Sequence, residues 1–238
     1  CHENLRSLCK DIGHRLSGSD NAAKAVLWGE KLLKSYDFDT VFLQEVMVPH
    51  WERGSKEKCT IIDNNSELNV IALGGSISTN GKLTANIVEV NSFEELDSLP
   101  SEYIKGKIVF YNVPMEPKHI RTFNAYGGCY PFRSKGPSAA AKKGATATIL
   151  RSLSLKLDHA PHTGTMHYEE GVNKIPCCAI GTLDADNLSK LLKTNPAIKI
   201  ELDMDCKSYD DVLSYNVIGQ INGQVNPDKY IIVGGHLD

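Results

Sequence analysis

The 238-residue chain is defined first by what it lacks. No apolar run approaches the roughly 18–20 residues a bilayer-crossing helix needs, which excludes a membrane-spanning helix. No block of one charge sign occurs. Lys and Arg number 26 against 29 Asp and Glu, a formal net charge of −3. That balance leaves no electrostatic footprint for nucleic acid and no basic membrane-surface helix. The seven cysteines are too sparse for a disulfide scaffold, and none forms a C-x-x-C pair, so structural zinc and thioredoxin-like chemistry are disfavoured. Phosphate-loop and dinucleotide spacings are absent around Gly74-Gly75 and Gly127-Gly128. No G-x-S-x-G elbow exists to carry an α/β-hydrolase serine.

What is present reads as a globular α/β protein. Apolar residues make up 41% and charged residues 23%, close to the globular average, and the length suits one large domain or two modest ones. Leu5, Leu8, Cys9 and Ile12 predict an amphipathic helix stopped by Gly13. Ser19 or Asp20 caps a second helix, with Glu30 and Lys34 paired on its surface. Thr40 to Val48 predicts a strand ended by Pro49, and Lys58 to Ile62 a pairing strand.

From Leu83 to Leu192 strands and helices alternate. Strands are expected at Leu83–Val90, Lys107–Val113, Ala145–Leu150 and Ile175–Ile180. Helices are expected from Ser92, Ser138 and Asp184. Tyr126 to Pro137 reads as a Gly/Pro-rich loop. After Pro196 strands are expected at Ala197–Leu202, Tyr215–Ile221 and Lys229–Val233. The outline is a first unit (1–71), an inserted α/β module (72–195), and the first unit resumed (196–238). The chain opens without a start Met and stops just past a strand-like run, so it is expected to be part of a longer polypeptide.

The last segment carries the main chemical signal. Tyr230-Ile231-Ile232-Val233 has the pattern of a strand buried on both faces. Gly234 and Gly235 permit close backbone approach. His236 and Asp238 then fall at the strand's carboxyl tip, where open α/β sheets hold ligands. His236 can ligate a metal through one ring nitrogen. Asp238, two residues on, can accept a hydrogen bond from the other nitrogen or ligate directly. An accidental His-x-Asp pair is the bland alternative.

Other candidates read as structural. His159, His162 and His167 share one loop but match no strong zinc pattern, and hydrogen-bonded loop histidines fit better. Cys177 and Cys178 sit in an apolar strand and read as small core fillers. Arg15 reads as an ion-pair residue, and Ser17-Gly18-Ser19 as a turn plus cap.

Several stretches, in order, resemble one family. They are IGHRLSGS, LGGS at Leu73–Ser76, GKIVFYN at Gly106–Asn112, GPSAAAKKGATATILRS, PHTGTM at Pro161–Met166, KIP at Lys174–Pro176, and the closing SYNVIGQINGQVNPDKYIIVGGHLD. The chain resembles the co-catalytic zinc aminopeptidase-type metallopeptidases, in their carboxypeptidase Q branch. The resemblance implies the N-terminal part of a mixed-sheet α/β zinc exopeptidase catalytic domain, interrupted by a protease-associated β-rich α/β domain. It implies two zinc ions, a metal-activated water and a glutamate general base, acting on dipeptides or short peptides. It makes His236 a zinc ligand and Asp238 the residue that orients its ring. The remaining ligands would lie beyond residue 238, so residues 1–238 alone are expected to be inactive. The resemblance further implies an extracellular or periplasmic location and admits a homodimer. A non-catalytic protease-associated-domain binding protein is the alternative.

Overall fold

The computed structural model describes residues 1–238. In chain order the helices are α1 (His2–Ser7), α2 (Asp20–Lys34), α3 (Phe93–Ser98), α4 (Ser101–Ile104), α5 (Thr122–Ser134), α6 (Gly136–Lys142) and α7 (Thr182–Thr194). The strands are β1 (Thr40–Glu52), β2 (Lys58–Ile61), β3 (Ser66–Glu67), β4 (Val70–Ala72), β5 (Leu83–Val90), β6 (Ile108–Tyr111), β7 (Ala147–Arg151), β8 (Cys177–Ile180), β9 (Lys199–Asp203) and β10 (Lys207–Gln220). The chain divides into two compact units, Cys1–Glu52 with Ser208–Asp238, and Arg53–Lys207.

The Arg53–Lys207 unit is a mixed α/β layer structure. Its eight strands run in the order β3-β2-β9-β5-β6-β7-β8-β4. β5, β6, β7 and β8 are parallel, and β9 and β4 close the parallel group antiparallel on either side. β6, β7 and β8 are short, almost wholly apolar and buried throughout, as expected for strands covered on both faces. Val88, Val90, Val109, Tyr111, Leu150, Cys177 and Ala179 point to one face. They form a core there with Leu96 of α3, Ile104 of α4, Cys129 of α5 and Ala140 of α6. The alternating residues point to the other face, where α7 lies. Its Ser189 hydroxyl donates to Glu89 of β5 at 2.9 Å.

Local chemistry explains most element ends. Ser92 accepts from the Glu95 amide at 3.0 Å, while Glu95 Oε2 accepts from the Asn91 amide at 2.7 Å, a reciprocal cap that starts α3. Ser19 accepts from the Ala22 amide at 3.2 Å and starts α2. Glu30 and Lys34 pair at 2.7 Å as expected.

Four expectations are corrected. Pro49 does not end β1, which runs on to Glu52. β1 pairs only with β10 in a two-stranded sheet, so it has a free edge where a missing N–H costs nothing. β2 pairs with β3 and β9, not with β1. The Gly/Pro-rich loop at 126–137 is largely helix α5, which contains Pro131. Ala125, Cys129 and Arg133, four residues apart, all bury one side of that helix, and this packing outweighs its poor propensity. Finally, Lys229–Val233 is not a strand. Residues 221–238 hold no helix or strand, and Ile231, Ile232 and Val233 are more than nine-tenths exposed. A strand buried on both faces needs neighbours along its edges and layers above and below, and nothing in residues 1–238 pairs with this one.

The unit boundaries also fall outside those expected, at 52/53 and 207/208 against 71/72 and 195/196. The reason is the ladder: β9 pairs with both β2 and β5, which ties residues 58–61 and 199–203 into the same sheet.

Candidate metal ligand and its surroundings

The His236–Asp238 segment is held from one side and open on the other. Leu237 anchors it. Its carbonyl accepts from Arg15 Nε at 2.8 Å, and its side chain lies over Gly29 of α2. Arg15 is itself fixed by the carbonyls of Gly13, at 2.6 Å, and Leu8, at 3.3 Å. Gly13 adopts a positive φ of 82° where the π-helical turn Leu8–Ile12 ends, a conformation that favours glycine. Arg15 therefore serves three backbone carbonyls, not the ion pair expected from sequence.

On the open side, the His236 side chain is 92% exposed. Its Nδ1 lies 3.2 Å from Asp238 Oδ1. A carboxylate in this position selects the tautomer with the proton on Nδ1 and leaves Nε2 as a lone-pair donor facing solvent. That is the donor state a divalent metal requires. The predicted pair is thus brought together. The strand expected to deliver it is not formed, and Gly234 and Gly235 have open space around them. One imidazole with a carboxylate behind it suits a zinc ligand, but a site needs three or four. No group of three or more His, Cys, Asp or Glu is placed to hold a metal ion.

The second histidine group disperses. His159 Nδ1 meets Asp184 Oδ1 at 2.6 Å, at the start of α7. The His162 amide donates to Ser152 Oγ at 2.7 Å, and the His167 amide to the Ser134 carbonyl at 3.2 Å. Each secures the loop between β7 and β8, in line with a structural role. Cys177 and Cys178 are completely buried free thiols. Burial pushes Cys177 up to about 12 and holds Cys178 well above its ordinary value, so neither is a nucleophile at neutral pH.

Sequence reasoning missed Arg151, which ends the apolar strand β7 and is 93% buried, with a relative exposure of 7%. A lone arginine closing a run of Ala, Thr, Ile and Leu was the available signal. No helix is long and apolar enough to cross a membrane.

Comparison with known proteins adds to this geometry. No protein-family model matches the chain. Carboxypeptidase Q of Xenopus laevis is 38% identical over all 238 residues, which cover 49% of that relative. The human carboxypeptidase Q is 36% identical over the same span, covering 48% of its length. The solved structure of a peptidase M28 precursor from Shewanella amazonensis matches with a TM-score of 0.93 and 37% identity, over 100% of this chain and 53% of that one. A zinc aminopeptidase from Bacillus subtilis shares the fold, with a TM-score of 0.56 at 19% identity over 92% of this chain and 45% of its own. The chain spans about half the length of the curated relatives it matches.

Proposed function

We propose that this chain, a homologue of carboxypeptidase Q and of an M28 peptidase along its whole length, forms the N-terminal part of a zinc-dependent exopeptidase that hydrolyses dipeptides or short peptides. The observation that carries this reading is the oriented imidazole: His236 Nε2 is left free, and Asp238 backs Nδ1 at 3.2 Å.

In this reading His236 holds zinc through Nε2. Asp238 would fix the orientation of the ring. Arg15 and Leu237 hold the backbone between them, so ring and carboxylate keep their register. Zinc, when bound, supplies the Lewis acidity that readies a water for attack on a peptide carbonyl. The ligands of a second ion, the remaining ligands of the first and the general base would come from outside residues 1–238. In this reading the Arg53–Lys207 unit corresponds to the protease-associated insert expected at 72–195, extended at both ends by the strands that pair into its sheet. Export to an extracellular or periplasmic space fits the same reading.

The test is zinc content and dipeptide hydrolysis of a polypeptide of the relatives' length, with and without His236→Ala. Loss of about one zinc per chain, with a fall in hydrolysis of at least a hundredfold, is expected. Unchanged zinc content and unchanged hydrolysis would overturn the assignment.

A further inference from the structure

At the carboxyl edge of the parallel strands, on the face covered by α7, the Arg53–Lys207 unit has an open, polar cavity of about 420 Å³. Strand ends on this side are where open α/β sheets receive ligands. Its walls carry both signs of charge. Glu89, Glu95 and Asp186 supply carboxylates, and Arg151 and Lys193 supply cations.

The central group is Arg151. Its bonds all run through Nη1, to Asp186 Oδ1 at 2.5 Å and to Asn112 Oδ1 at 3.2 Å. Nε is buried and has no hydrogen-bond partner. That atom is sealed from solvent, whereas Nη2 makes no hydrogen bond and is not sealed, so Nη2 is the donor left for a ligand in the cavity. Opposite in sign, Glu89 is held firmly. Its Oε1 accepts from Asn112 Nδ2 at 2.6 Å and from Ser189 Oγ at 2.9 Å, which leaves Oε2 uncommitted. Asn112 bonds both Arg151 and Glu89, and so sets the positive and negative poles side by side.

Three ligand classes can be weighed. A metal ion would need the carboxylates to converge, and they do not. A simple anion would meet three carboxylates against two cations. A simple cation would leave Arg151 Nη2 and Lys193 unanswered. A molecule with both charges close together answers each pole. We propose that this cavity binds a free α-amino acid, its carboxylate taken by Arg151 and Lys193 and its ammonium group by Glu89 and Glu95. The volume holds a molecule of that size with a few waters. Its lining lies wholly within the Arg53–Lys207 unit, and the proposal does not depend on the peptidase reading.

The experiment is calorimetric titration of the 238-residue chain with each of the twenty L-amino acids. For the tightest binder, its N-acetyl derivative and its amide are then titrated. At least one amino acid is expected to bind saturably at one site. Each derivative, lacking one pole, is expected to bind at least tenfold more weakly. Arg151→Met risks unfolding, because it removes a buried side chain that bonds both Asn112 and Asp186. Glu95→Gln and Lys193→Ala alter exposed side chains, and each is expected to weaken binding at least fivefold with the circular dichroism spectrum unchanged. His236→Ala is expected to leave binding intact. The proposal fails if no amino acid binds saturably, if the derivatives bind as well as the parent, or if binding is lost with His236→Ala and kept in both charge variants.

Discussion

Two regions of this chain use the same residue types to opposite ends. In the Arg53–Lys207 unit, β7 reads Ala-Thr-Ile-Leu-Arg and is buried throughout. In the other unit, Tyr230-Ile231-Ile232-Val233 is more strongly apolar and lies open, each residue at least three-quarters exposed. β-branched composition therefore marks a capacity for burial. Burial itself follows from ladder partners, which β7 has in β6 and β8. The cysteines divide along the same line. Cys1 and Cys9 in the first unit are exposed, and all five in the second are buried.

The thiols give the sharpest way to break that division. Burial raises Cys59, Cys177 and Cys206 from 9.0 to about 12, and raises Cys129 and Cys178 as well. Three pKa units lower the thiolate fraction at pH 8 about a thousandfold, and burial blocks access in addition. Titration with an aromatic disulfide reagent at pH 8 should label Cys1 and Cys9 quickly. The other five should react only on unfolding. Rapid labelling of a third thiol would mean the sheet unit opens easily. The same shifts carry a sign. A thiol whose folded pKa is raised keeps its proton after the unfolded chain has lost it, so its stabilisation is complete below about pH 9 and declines as pH climbs toward 12. Urea midpoints measured from pH 8.5 to 10.5 should fall steadily.

A pair of truncations compares the two regions directly. Phe110 of β6 is fully buried. Phe110→Ala removes a large side chain from a fully buried site, and should cost about 3–5 kcal/mol. Ile232→Ala removes a side chain that is 91% exposed and should change stability by less than about 0.5 kcal/mol in urea unfolding. A large loss at Ile232 would show that the apolar run is packed against something in solution.

How much was legible follows from the same distinction. The four strands between residues 83 and 180 and helices α3, α6 and α7 were readable because they carry their own cap or their own apolar run, as Ser92 and Glu95 do for α3. The boundary of that unit was not, because β2 and β9 join its sheet through ladders between residues more than 130 positions apart. Helix α5 was hidden by two glycines and a proline that local propensity counts against it. The face it buries is a tertiary fact. At the candidate site, the His236–Asp238 pairing was readable from spacing, since residues two apart in extended chain share a face. The hold on that segment from Arg15, 222 positions away, had no local signature. Nor did the Asn112 bridge between Glu89 and Arg151, which joins the ends of three strands.

The smallest expected effect tests the first unit's surface. Glu30 and Lys34 meet at 2.7 Å one turn apart on α2, with Lys34 more than half exposed. Glutamate placed four residues before lysine is the favourable orientation against the helix dipole, yet water and salt screen it. Glu30→Gln keeps the shape and removes the charge. It should cost about 0.3–0.5 kcal/mol at low salt and close to nothing at 1 M NaCl, read as a shift in urea midpoint. The burial of Ala22, Ala25 and Val26 along the inner side of α2 explains why so little depends on the pair: the helix is secured by its apolar side, and its outer charges only trim its stability. A loss that persisted in high salt would mean that Glu30 is shielded from solvent and that the outer side of α2 is more enclosed than its 24% side-chain exposure indicates.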